Sequence, residues 1–234
     1  MTPAERLHKL EQALQQSGSL RLRDAAALLD VSEMTVRRDL ARHKSKLSYL
    51  GGHIVASRSL KGGSEYSLAQ ESDHFSQAKK NASRKALALI KPNDVVFIDC
   101  GTTLLHLARL IAADFPLTVV CYSLNTAEIL KSKPALRLIV LGGTYMPSSD
   151  SFSGHEALNA LDQISFDTAF MSAGGVDDEA GVSCWNLHEK DIKQRAMQRA
   201  RRRYLVVDSS KLGMRRHIRF ADTREFDAIL TEKD

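Results

Sequence analysis

Asp99-Cys100-Gly101-Thr102-Thr103 gathers a carboxylate, a glycine and two hydroxyls within five residues. The run closes the apolar stretch Val95-Val96-Phe97-Ile98 and opens Leu104-Leu105-His106-Leu107-Ala108-Arg109-Leu110, whose apolar spacing is helical. Strand, tight turn and helix are therefore predicted. At the N-terminus of such a helix, unpaired N–H groups and the positive end of the dipole join the two hydroxyls, which suits a phosphate. No Lys follows the glycine as the Walker loop requires, so the expected guest is a small phosphorylated metabolite rather than a nucleoside triphosphate.

Similar polar turns recur along the chain. Strands are predicted at Val95–Ile98, Leu117–Tyr122, Leu136–Leu141, Thr168–Ser172, Tyr204–Val207 and Ala228–Leu230, with helices over Gln77–Ile90 and near 103–112, 126–131, 155–162 and 187–201. This alternation predicts an α/β domain with a mostly parallel sheet covered on both faces. Five predicted strand ends are polar or glycine-rich: Asp99–Thr103, Ser123-Leu124-Asn125-Thr126, Gly142-Gly143, Ser172-Ala173-Gly174-Gly175 and Asp208-Ser209-Ser210-Lys211. In such sheets ligands bind beyond the carboxyl ends of the strands. Gly101, Thr102 and Thr103 are assigned to the phosphate and Lys211 to its counter-charge. Asp99, Ser123 and Asn125 are assigned to sugar hydroxyls, and Gly142, Gly143 and Gly174 complete the expected lining. Glu189 and Lys190, at the start of a helix, are secondary candidates, whereas His106 reads as a packing residue.

The first 56 residues have a different pattern. Leu7, Leu10 and Leu14 give a first helix, Asp24–Leu29 a compact second, and Ser32 caps a third that runs to about Lys44. In the third, Val36 and Leu40 point inward, while Met34, Arg38, Ala41 and Arg42, flanked by Thr35 and Arg37, point outward. Two short helices joined by the turn Asp30-Val31 predict a helix-turn-helix whose outer face enters the major groove of double-stranded DNA. Ser32, Glu33, Met34, Thr35, Arg37, Arg38 and Arg42 are the expected DNA contacts. Leu47–Leu50 and His53–Val55 flank Gly51-Gly52, a hairpin signal that adds a wing.

Composition agrees with a nucleic-acid partner. The net charge is +5, and residues 1–56 hold nine Lys/Arg against six Asp/Glu. No apolar run reaches membrane-spanning length and the N-terminus lacks a secretion signal, so a cytoplasmic protein without a membrane partner is expected. Cys100, Cys121 and Cys184 are odd in number and widely spaced, which predicts small core residues rather than a disulfide frame or zinc site. No cofactor or metal is expected. Residues 57–75 are polar, with glycine and serine, and read as a linker between domains at 1–56 and 76–234.

Leu22–Leu29, Val31-Ser32-Glu33-Met34-Thr35-Val36-Arg37-Arg38-Asp39-Leu40 and Gly51-Gly52 together resemble the DNA-binding domain of the DeoR family of bacterial repressors. The resemblance implies a C-terminal domain that looks like ribose-phosphate and glucosamine-phosphate isomerases and senses phosphorylated sugars, with deoxyribose 5-phosphate favoured and ribose 5-phosphate and other small sugar phosphates left open. One winged helix presents too little surface for tight specific binding, so a homo-oligomer is expected. The chain reads Ser172-Ala173-Gly174-Gly175 where many members read Gly-Ala-Asp-Gly, which leaves the position resembling the isomerase carboxylate empty. Family members usually continue past Glu232-Lys233-Asp234, so the last strand is expected at an edge, or the oligomer to differ. A sugar-phosphate-responsive repressor is the favoured expectation. An isomerase or lyase with a DNA-binding appendage is the alternative, with Asp99 as its remaining candidate base.

Overall fold

The computed structural model describes residues 2, 5–10, 13, 19–42, 47–50, 53–56 and 75–233. The chain divides into two compact units, Met1–Glu65 and Tyr66–Asp234. The predicted linker, apart from Phe75, and the Gly51-Gly52 turn lie outside the described residues.

In the first unit, residues 5–10 form helix α1, followed by strand β1 (Ser19–Arg21), α2 (Leu22–Leu29), α3 (Glu33–Arg42), β2 (Leu47–Leu50) and β3 (His53–Ala56). Asp30 turns the chain between α2 and α3 at φ 52°, a left-handed conformation that a short polar side chain tolerates. Ser32 caps α3, its Oγ accepting from Thr35 N at 3.2 Å. Leu7, Leu10, Leu22, Ala25, Leu29, Val36 and Ile54 form the core, with Leu40 packed against it. β2 and β3 pair antiparallel from Leu47↔Ala56 to Leu50↔His53, which gives the predicted wing. The short segment at Leu20 proves to be a third strand of that sheet, Ser19 pairing with Val55.

The second unit opens with α4 (Ser76–Leu87) and is built on six strands: β4 (Val95–Ile98), β5 (Leu117–Cys121), β6 (Leu136–Val140), β9 (Phe166–Met171), β12 (Ala200–Val206) and β14 (Ala228–Leu230). Their order is β14-β12-β9-β4-β5-β6, and every pairing is parallel. Side chains alternate between two cores. Phe97, Val120, Ala169 and Leu205 lie on one face, under α7 (His155–Asp162) and α8 (Leu187–Gln198). Val96, Val119, Phe170 and Val206 lie on the other, under α4, α5 (Thr102–Leu110) and α6 (Leu124–Leu130). Two-sided burial is why these strands read as continuous apolar runs. Each fully buried large side chain contributes roughly 1.5–3 kcal/mol.

All six predicted strands are present, and β14 is an edge strand. Two smaller sheets were not predicted: the hairpin of β7 (Thr144–Met146) and β8 (Ser151–Ser153), and the antiparallel set of β10 (Gly175–Asp177), β11 (Gly181–Cys184) and β13 (Ile218–Ala221). From β4 the chain moves outward to β5 and β6, then returns to the other side of β4 with β9. The direction of winding therefore reverses between β4 and β9. That reversal opens a crevice at their carboxyl ends.

Candidate functional site

A cleft occupies that crevice. It is lined by Gly101, Thr102 and Thr103 after β4, Ala173 and Gly174 after β9, Trp185 after β11, Glu189 and Lys193 on α8, and Lys211. Gly101 stands at the N-cap of α5 with no side-chain cap, so the first-turn N–H groups meet the cleft without a competing side chain. A Cβ at Gly101 would fall 2.2 Å from Ser172 Cβ, so only glycine lets the two strand ends approach this closely. Gly174 has a similar restriction: a Cβ there would lie 2.8 Å from Trp185 Nε1. The Trp185 indole in turn lies under the Arg216 guanidinium, 4.1 Å from ring centroid to cation.

The floor of the cleft is a buried charge network. Asp99 is 0% exposed and accepts from Tyr122 Oη at 2.6 Å, Ser172 N at 2.9 Å, Ser172 Oγ at 2.6 Å and Lys193 Nζ. Burial alone would raise its pKa, but the Lys193 ammonium and these hydrogen bonds outweigh it and hold the carboxyl below the usual range. Burial opposes the charge on Lys193 too, and the facing Asp99 carboxylate reverses the shift, so Lys193 stays an ammonium. Glu189 lies 3.8 Å from Lys193 and accepts from Asn186 Nδ2 at 2.6 Å. Burial dominates there, and its carboxyl is pushed up despite Lys193 and Asn186. Cys184, also lining the cleft, is pushed up to about 12, mainly by burial, and is a thiol.

The cleft unites Gly101, Thr102, Thr103, Gly174 and Lys211 of the predicted set, and Glu189 of the secondary candidates. Asp99 is a correction: with both oxygens engaged and no exposed surface, it orients Ser172 and Lys193 instead of offering itself to a sugar hydroxyl. Ser123 is another, being 0% exposed and spent as the cap of α6, where its Oγ accepts from Thr126 N. Asn125, Gly142, Gly143 and Lys190 do not line the cleft. Gly143 adopts φ 128° with Ser153 O 2.5 Å from where a Cβ would stand, a turn requirement leading into β7. Sequence reasoning missed Lys193 and Trp185. The i,i+4 spacing of Glu189 and Lys193 was a visible signal.

On the first unit, Ser32, Glu33 and Arg38 are exposed, Met34 is 65% exposed and Thr35 is partly exposed. The Arg37 and Arg42 side chains lie outside the described residues. Arg6 Nε binds Asp39 Oδ2 at 2.6 Å, a half-buried pair that ties α1 to the inner side of α3.

A family model described as the DeoR-like helix-turn-helix domain matches residues 6–58, and one described as the DeoR C-terminal sensor domain matches residues 74–233. This chain belongs to the DeoR family. The Deoxyribose operon repressor of Escherichia coli K12 is 40% identical over 228 residues, covering 97% of this chain and 90% of that protein. The first unit is thus the helix-turn-helix domain of a DNA-binding transcriptional regulator, and the sheet domain is a sensor domain. Among solved structures, eIF2B beta from Chaetomium thermophilum aligns at TM-score 0.50 and 16% identity over 68% of this chain and 52% of that one, a likeness of fold alone. Ribose 5-phosphate isomerase A from Methanocaldococcus jannaschii aligns at TM-score 0.44 and 16% identity over 58% and 54%. No helix among the described residues is long and apolar enough to cross a membrane.

Proposed function

We propose that this DeoR-family protein is a cytoplasmic repressor that a phosphorylated sugar releases from its operator. The observation that supports it most is the pairing, in one cleft, of the uncapped N-terminus of α5 with the partly exposed cation Lys211. Backbone N–H groups of Gly101, Thr102 and Thr103 hold the phosphate oxygens, and Lys211 supplies the counter-charge. Ser32, Glu33, Met34, Thr35, Arg37, Arg38 and Arg42 meet double-stranded operator DNA. Deoxyribose 5-phosphate is the effector and deoxyribonucleoside or sugar catabolism the regulated process, a reading supported by the 40% identity to the deoxyribose operon repressor over nearly the whole chain.

Binding without turnover suits the chemistry of the cleft. Isomerisation needs a carboxylate free to take a proton near neutral pH. Asp99 is saturated, Glu189 is buried beside Lys193 with an oxygen engaged by Asn186, and Gly174 has no side chain. The empty cleft measures about 30 Å³, room for about two waters. Trp185 and Lys211 are the large lining side chains that are partly exposed.

The test is a thermal-shift panel of phosphorylated and unphosphorylated sugars on the full chain, followed by operator release with whichever compounds stabilise it. A ligand at 100 times its Kd adds about 2.7 kcal/mol by mass action. Stabilisation by no phosphorylated sugar sinks the reading. Overnight incubation with product analysis addresses the isomerase or lyase alternative, which a new product would establish.

A further inference from the structure

Between the C-terminal half of α8, β12 and β13 lies a second cavity of about 210 Å³. Gln194, Gln198, Arg203, Arg219, Phe220 and Glu225 are among the residues lining it. Its wall is polar and mainly cationic. Arg203 stands on the same face of β12 as Leu205 and Val207, which puts a guanidinium on the core side of the sheet. The Arg203 Nε is out of contact with solvent and has no hydrogen-bond partner, and the guanidinium makes no ion pair with any described residue. Buried donors are nearly always paired, so an Arg held this way marks a place for an acceptor.

The neighbouring groups do not supply that acceptor. Glu225 uses Oε1 to accept from Asp222 N at 2.6 Å, closing the capping box of its own turn. Gln194 is turned to donate to Phe220 O at 2.9 Å. Arg219, a lining residue whose side chain is 57% exposed, reaches Asp222 at 3.5 Å. Two arginines therefore line the cavity beside one carboxylate, of which one oxygen is already engaged. We propose that this cavity is a second anion site, separate from the cleft at β4 and β9, which takes a phosphate or carboxylate group on Arg203 and Arg219. Planar guanidinium forks match both kinds of oxyanion.

The experiment is calorimetric titration of the full chain with inorganic phosphate and, separately, succinate, at matched ionic strength. Wild type, Arg203→Gln, Arg219→Gln and Thr103→Val are compared. Arg203→Gln should weaken one anion-binding event by about tenfold or more, the loss expected for a charge-assisted bond, and Thr103→Val should leave that event unchanged. Arg219→Gln should weaken the same event. Preference for phosphate or for succinate then identifies the chemistry of the natural occupant. If Arg203→Gln does not fold, Arg203→Lys keeps the charge, loses the fork and should still weaken the event. Binding that responds to Thr103→Val alone, or no anion binding, overturns the proposal; the first of these leaves the proposed effector cleft intact.

Discussion

Thr103→Val keeps side-chain volume and removes one hydroxyl from the wall of the cleft. A hydrogen bond to a charged group contributes about 1.5–3 kcal/mol, so sugar-phosphate affinity should fall roughly tenfold to a hundredfold. DNA affinity without ligand should stay the same, and operator release should need more sugar phosphate. Superimposable release curves for variant and wild type would remove Thr103 from the site. Lys193→Met acts on the floor instead, leaving the Asp99 carboxylate buried without its cation, at a cost of about 3–5 kcal/mol in a denaturant titration. Because Asp99 is held below its usual pKa, its stabilisation is present above the ordinary aspartate range and is lost as pH falls. The gap between wild type and Lys193→Met should therefore narrow in acid. Glu189 has the opposite sign: burial favours its neutral form, and ionisation as pH rises adds negative charge beside an anion. Glu189→Gln should bind sugar phosphate more tightly than wild type by a ratio that grows as pH rises above the ordinary glutamate range; a constant ratio would show that Glu189 does not titrate in the site. Gly101, Thr102, Thr103 and Lys211 were legible because strand-end turns advertise themselves. Lys193 was not, since a lysine inside a polar helical run has the spelling of a surface residue and only the fold buries it.

Among the elements, α3 is the one proposed to lie in a DNA groove. Arg38, exposed on that face, should contribute about 1–3 kcal/mol of base discrimination at each half-site, and Arg38→Ala should abolish specific operator binding while leaving ligand-induced stabilisation of the sensor domain intact. Full retention of specificity in a gel-shift or anisotropy titration would turn α3 away from the DNA. The long apolar runs of β4, β5 and β9 were readable because both their faces are buried. β10 and β11 were hidden in a stretch rich in glycine and aspartate, where three- and four-residue strands look like a loop. Arg201, Arg202 and Arg203 masked the first half of β12; parallel pairing with β9, as in Arg202↔Thr168, makes a strand of residues whose side chains argue against one.

Across the whole molecule, one winged domain offers too little surface for tight specific recognition, and a homo-oligomer reading repeated half-sites is expected. Light scattering of the full chain should give a multiple of the monomer mass; a monomer at micromolar concentration, with and without operator, would contradict this. Operator affinity should also fall steeply with salt, since phosphate contacts release counterions. The change from a short helical pattern to alternating strand and helix revealed two units in the sequence. The place of the cleft was only half legible, because a reversal of winding depends on strand order, and strand order is not written in any local pattern. That is why Asn125, Gly142 and Gly143, at ends of strands on the far side of β4, were grouped with residues they do not join.

Trp185 is the chain's one tryptophan. It lines the cleft, sits against Gly174 and lies beneath a cation. The molecule therefore has a built-in fluorophore with a single address. A change in the intensity or colour of its indole emission reports on the surroundings of Trp185, so ligand binding in the cleft can be followed in the unlabelled protein, in real time.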